Sequence, residues 1–226
     1  MNTQLARQDI AAHPFLIAAQ GGSPSYQWAT LALRGKLESA VGERHGRELH
    51  ADLLRSGHQR LARVLERDIE QGGGELELGQ RLVELQGGRT ELASVVTACA
   101  LHTLECELTR MLGIRTLHTR LGSYYAVKLV LTMLIPCSSE QVRVPGCDVE
   151  LQRWCSFRDR VELHHARACM RFPALLGRDP ALRELFWRGA EQTLAAFERC
   201  FDTLAELRRA ELREPARTHN ASRTSA

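Results

Sequence analysis

Residues 90–112 read TELASVVTACALHTLECELTRML. Val95, Val96, Ala98, Ala100, Leu101, Leu104 and Leu108 set apolar side chains nearly all round a helix over its first turns. A helix that is apolar on every side belongs inside a packed bundle. Thr90 stands where a helix start takes a hydroxyl cap. Nothing in the stretch alternates with the period of a strand, so it predicts a central, buried helix. Glu105 lies inside it. A carboxylate among core leucines is costly unless something pairs with it, and a metal ion or an arginine would both serve.

The flanking sequence divides in the same way, cut by glycine, proline and polar clusters. After QGGSPS, Ser23 or Ser25 caps a helix expected over about 26–54, with Leu31, Leu33, Leu37 and Val41 along it. A second helix over 58–70 stops at QGGG, and a short one over 76–85 stops at QGG. Further helices are expected over 119–135, ending at Pro136, over 149–170, and over 181–212 after GRDP. The polar tail from 214 to 226, EPARTHNASRTSA, is expected to be disordered. Residues 1–213 then form a single all-α domain, with no internal repeat.

Composition narrows the function. The chain has 226 residues, 44% of them hydrophobic and 25% charged, as in an ordinary globular domain with a sizeable core. A net charge of +3 with arginines scattered along the chain, and only 5% aromatic residues, argue against nucleic acid. The longest apolar stretch, YYAVKLVLTMLIP, contains Lys128 and is too short to span a bilayer. No secretory leader is visible at the N-terminus, and the seven cysteines form no Cys-x-x-Cys pair. These features lead to the expectation of a cytoplasmic protein with reduced thiols and no zinc knuckle.

Three of the expected helices carry metal-ligand residue types. In GERHGRELHAD, Glu43 and His50 are seven apart and stand on one helical face, while His45 points elsewhere. In LHTLECE, His102 and Glu105 share a face, and Glu107 is turned about 160° away from Glu105. In FRDRVELHHAR, Glu162 and His165 are three apart. Glu-x-x-His pairs on facing helices are how a bundle builds a carboxylate-bridged di-metal site. Carboxylates neutralise and bridge two divalent ions, imidazoles complete their coordination, and open positions remain for dioxygen and substrate. Each pair alone is also compatible with an exposed polar stripe.

Together these residues resemble the heme-oxygenase-like di-iron oxidases, a helical superfamily that includes thiaminase II and pyrroloquinoline quinone synthase. HPFL at 13–16 is similar to the His-Pro-Phe opening of many members, and ERHGRELH to their Glu-x6-His. Glu105 falls near the expected second-helix glutamate. The family's His-x3-Asp-x2-His positions are occupied by Arg158, Glu162 and His165, and LFWRGAEQTLAAFERCFDTL is similar to the last helix. The resemblance implies a bundle of about seven helices. It also implies iron ligation by Glu43, His50, Glu105, Glu162 and His165.

Arg158 is the main departure, because a guanidinium stays charged and cannot ligate a metal. Either His102 supplies the missing nitrogen, or the second of two Fe(II) ions binds weakly or only with substrate, with Arg158 taking a substrate anion. The implied function is a dioxygen-dependent oxidase or oxygenase in specialised biosynthesis, acting on a small amino-acid-like or fatty substrate. Its expected partners are that substrate and dioxygen, with a homodimer as the assembly and neither nucleic acid nor membrane. Two alternatives remain: a metal-independent enzyme of the same fold, with Cys106 or Cys169 as thiol, and a non-catalytic helical protein with a degenerate site.

Overall fold

The computed structural model describes residues 10–20, 24–37, 44–70, 91–114, 116–139, 156, 159–160, 163–164 and 166–213. Among these residues every regular element is a helix and none is a strand. In chain order they are α1 (Pro14–Gln20), α2 (Pro24–Lys36), α3 (Gly46–Arg55), α4 (Gln59–Glu70), α5 (Glu91–Ile114), α6 (Leu117–Ser139), α7 (Phe172–Leu175) and α8 (Pro180–Arg213). The chain is an all-α bundle, as its sequence predicts. The helix expected over 76–85 and the tail from 214 lie outside the described residues, as does much of the segment 149–170.

Several helix ends follow from local chemistry. His13 precedes α1 as a side-chain cap: the Phe15 amide donates to its Nδ1 at 3.2 Å, and Nε2 lies 3.2 Å from Asp202 Oδ1. Pro14 then occupies the first helical position, where an amide hydrogen is not missed. The HPF motif thus starts a helix, and Phe15 carries it into the core by stacking on Phe201, with ring centroids 5.1 Å apart. At the end of α3, the His58 amide donates to Leu53 O and the Gly57 amide to Leu54 O. This Schellman closure needs a left-handed residue, and Gly57 supplies it at φ 77°. Asp179 caps α8 by accepting from the Ala181 amide at 2.9 Å, with Pro180 at the first helical position.

The central helix is α6, not α5 as the sequence predicts. From Leu121 to Val130 every α6 side chain is buried except the half-buried Tyr125, and α6 packs against α1, α2, α3, α5 and α8. Even Lys128 is buried there, its ammonium 5.7 Å from the centre of the Tyr124 ring. By contrast, α5 shows solvent a face with Val95, Cys99, His102, Cys106 and Arg110. The small residues of α5 make it apolar all round without demanding cover, whereas α6 carries leucines, valines and tyrosine on every side. Nor does α6 stop at Pro136: it runs on to Ser139. Proline keeps a helical φ, and near the end of the helix its missing amide costs one bond of the ladder.

The most extensive contact is α8 on α6. Two glycines allow it. A Cβ on Gly122 would lie 1.8 Å from Phe186 O, and one on Gly189 would lie 2.0 Å from Thr119 O. The two backbones therefore cross in direct contact, and the Ser123 hydroxyl donates to Gly189 O at 3.3 Å. The phenylalanines of α8 (Phe186, Phe197, Phe201) fill the core on either side of the crossing.

Candidate functional site

Of the helix expected over 26–54, the described residues form α2 and α3 as regular α-helix. Leu37 after α2 and residues 44–45 before α3 are wound as π-helix, and residues 38–43 lie outside the described part. A π turn takes an extra residue, which shifts every later side chain round the axis. The inward face of α3 is Gly46, Leu49 and Leu53, and His45 continues it, 5% exposed. His45, set aside by the sequence spacing, is thus an interior histidine. His50 is half-buried, next in sequence to the inward Leu49.

A small cavity opens where the end of α2, His45 and the middle of α5 meet. Leu101, Leu104 and Leu108 of α5 form its apolar wall, and Glu105 shares their stripe by helical spacing. Lys36 faces Glu105 across the opening, with Nζ 3.0 Å from Oε2. Their side chains are 49% and 36% exposed, so the polar pair sits at the mouth above buried leucines. The cavity has room for about one water molecule.

His45 completes the lining. Burial holds its pKa below the usual 6.5, against the opposing pull of Glu48. The ring is therefore neutral at neutral pH. Its Nδ1 is buried without a hydrogen bond, since Glu48 Oε2 stands 3.4 Å away at ion-pair distance but out of line. Glu48 in turn lies 3.9 Å from the buried Arg120, which is bound to Asp52, and Asp52 also takes Arg55.

The expected ligands fall into two groups. Glu105 reaches the cavity, and it is partly exposed and paired with a lysine, not sunk in the core. Glu107 points the other way, accepting from Arg199 of α8 at 2.5 Å, as a spacing of two residues requires. His102 lies on the solvent face with Nε2 3.8 Å from Cys106 Sγ. Glu43, Arg158, Glu162 and His165 lie outside the described residues. Among the described residues, no three His, Cys, Asp or Glu side chains converge on one point where a metal would sit. What is present fits iron in kind. A carboxylate and a neutral imidazole with an unsatisfied nitrogen border one cavity, and both are donors that ferrous iron accepts.

Two residues carry no signal that the ligand spacing uses. Asp159, beside Arg158 in sequence, accepts from Arg34 of α2 at 2.6 Å, with the two side chains 10% and 12% exposed. Lys36 is marked in the sequence by nothing more than its place near the end of a helical stretch. Of the cysteines, Cys99 and Cys106 are exposed, and Cys169 and Cys200 are buried. Among the described residues no helix is long and apolar enough to cross a membrane.

The arrangement defines an all-helical protein with a small leucine-walled cavity and a polar mouth. A CADD-like protein of unknown function from Nostoc punctiforme, solved as a crystal structure, has a similar fold, with a TM-score of 0.62 at 15% identity. The alignment covers 91% of this chain and 96% of that one, so the likeness extends over the whole bundle. No family model and no curated protein matches the sequence.

Proposed function

We propose that the protein is a non-heme di-iron, dioxygen-dependent oxidase or oxygenase of the heme-oxygenase-like kind, acting on a small amino-acid-like or fatty substrate. The observation that carries this reading is the joint placement of Glu105 and the neutral, buried His45 on one leucine-walled cavity. Glu43, His50, Glu105, Glu162 and His165 would hold the iron. Bound there, iron would supply the activation of dioxygen that no side chain provides. The chain's own part is to hold the Glu105 carboxylate at the cavity mouth beside Lys36, to keep an imidazole neutral by burial, and to line the interior with leucines that exclude water. Arg158 is assigned the substrate's anionic group, for which a guanidinium fork is suited.

One observation favours a second reading. Glu105 is already neutralised by Lys36, and a carboxylate, an ammonium and an imidazole about one cavity can exchange protons without metal. This is the metal-independent enzyme of the same fold. Anaerobic ferrous loading separates the two. The di-iron reading expects iron to bind, with less iron per chain in Glu105→Gln and Glu43→Gln, and an optical transient on admitting oxygen. Failure of the wild type to retain iron would remove the di-iron reading.

A further inference from the structure

We propose that Cys106 is a modification site for small anionic disulfides, with His102 as the acceptor of its thiol proton and Arg110 as the partner of the incoming carboxylate. The modification stands independently of iron.

His102, Cys106 and Arg110 follow one another at four-residue intervals, so α5 sets all three on one face, and all three are exposed. His102 Nε2 lies 3.8 Å from Cys106 Sγ, within reach of a hydrogen bond to sulfur. With its own hydrogen on Nδ1, the imidazole accepts the thiol proton at Nε2. The acids on either side of Cys106 are each met by a cation, Glu105 by Lys36 at 3.0 Å and Glu107 by Arg199 at 2.5 Å. Arg110 adds a cationic side chain on the thiol's own face. An exposed thiol beside a base and among cations is the setting in which cysteines attack, and it favours an anionic reagent.

In the step itself, His102 takes the thiol proton and Cys106 Sγ attacks one sulfur of the disulfide. A new S–S bond forms, the old one breaks, and the departing thiolate takes up a proton. Cys106 is thereby oxidised to half of a mixed disulfide, and the other half of the reagent leaves as a reduced thiol. Cys99 is exposed too, but it lies seven residues earlier, about 10 Å along the axis and past the ~7 Å Cα separation that a disulfide can bridge. The intact helix therefore cannot release the adduct by forming a Cys99–Cys106 bond, and removal needs an external thiol. Glu105 and Thr109, one residue before Cys106 and three after it, line the cavity, so the adduct stands beside the cavity mouth.

The test incubates full-length protein at neutral pH with glutathione disulfide or with the uncharged hydroxyethyl disulfide, alkylates the remaining thiols and reads each cysteine by peptide mass. Cys106 should form the mixed disulfide with either reagent about tenfold faster than Cys99, a modest share of what a positioned base supplies. His102→Gln should bring Cys106 down to the rate of Cys99 with both reagents. Arg110→Met should slow glutathione disulfide about two- to fivefold, the effect of one exposed ion pair, and leave the hydroxyethyl reagent unchanged. A purely structural effect of that substitution would slow both reagents alike. Equal rates at Cys99 and Cys106 in the wild type, or a Cys106 rate untouched by His102→Gln, would overturn the proposal. Equal effects of Arg110→Met on the two reagents would overturn its anionic class.

Discussion

The surroundings of His45 and of His118 depress the pKa of each. Burial is the first cause for both, and His118 is also pushed down by His58, whose ring meets it edge-on at 5.2 Å, against a weaker pull from Asp179. A folded-state pKa below 6.5 means that the unfolded chain binds protons more readily. Both residues then contribute stability that is present above pH 6.5 and lost as pH falls through the folded values. Thermal midpoints measured from pH 7.5 downward should fall below about pH 6.5, and His45→Gln with His118→Gln should flatten that fall. Cys200 has the opposite sign. Burial, helped by Glu107, raises its thiol from 9.0 to about 12, so its contribution is present below pH 9.0 and is lost as pH rises toward 12. In native protein at pH 8, a thiol reagent should modify Cys99 and Cys106 and leave Cys169 and Cys200 intact, as peptide mass would show. At this scale the cavity-side placement of Glu105 was legible, because helical spacing sets it with Leu101, Leu104 and Leu108 and turns Glu107 the other way. His45 was not, because the ligand spacing singles out Glu43 and His50, while the regular stripe that His45 shares with Leu49 and Leu53 marks burial and says nothing of a cavity.

Helix starts and stops were the most legible part of the elements, because caps are written in a few adjacent residues. Gly57 and the Asp179–Pro180 pair end and begin helices where their chemistry says they should. The crossing of α6 and α8 was illegible, since Gly122 and Gly189 look like weak points in helical patterns until their partners are known. Each in fact faces a backbone carbonyl of the other helix. Neither carbonyl can move aside as a flexible side chain would. Gly122→Ala and Gly189→Ala should each cost about 3 kcal/mol or more, the upper end for overpacking, read from urea midpoints. Gly113→Ala is the control: a Cβ there meets nothing within 4 Å, and removing a flexible glycine from α5 should leave stability unchanged or raise it by about 1 kcal/mol. The exchange of roles between α5 and α6 has a similar origin. Periodicity records that a helix is apolar on all sides, but the size of its side chains decides whether neighbours gain by surrounding it.

At the scale of the molecule, α8 draws the bundle together by packing on α1, α2, α5 and α6, and buried polar ties then fix the register of distant parts. The tie with the longest reach into the expected site is Arg34 to Asp159, which joins α2 to a helical stretch 125 residues later, just beside Arg158. Both side chains are nearly removed from water, so deleting one leaves a nearly buried charge without this counter-ion. Asp159→Ala and Arg34→Met should therefore each destabilise by about 3–5 kcal/mol, far above a surface pair. The double variant Arg34→Met/Asp159→Leu removes both charges and should cost much less than the sum, since apolar replacement of a buried pair is often close to neutral. A urea double-mutant cycle measures the difference. Simple additivity would mean that the pair is solvated in solution and does not set the register. Iron loading of the stable double variant then asks a separate question. If the pair serves only to hold α2 against the later segment, packing can replace it and loading should match wild type. Lower loading at full stability would mean that the charges themselves position Glu162 and His165.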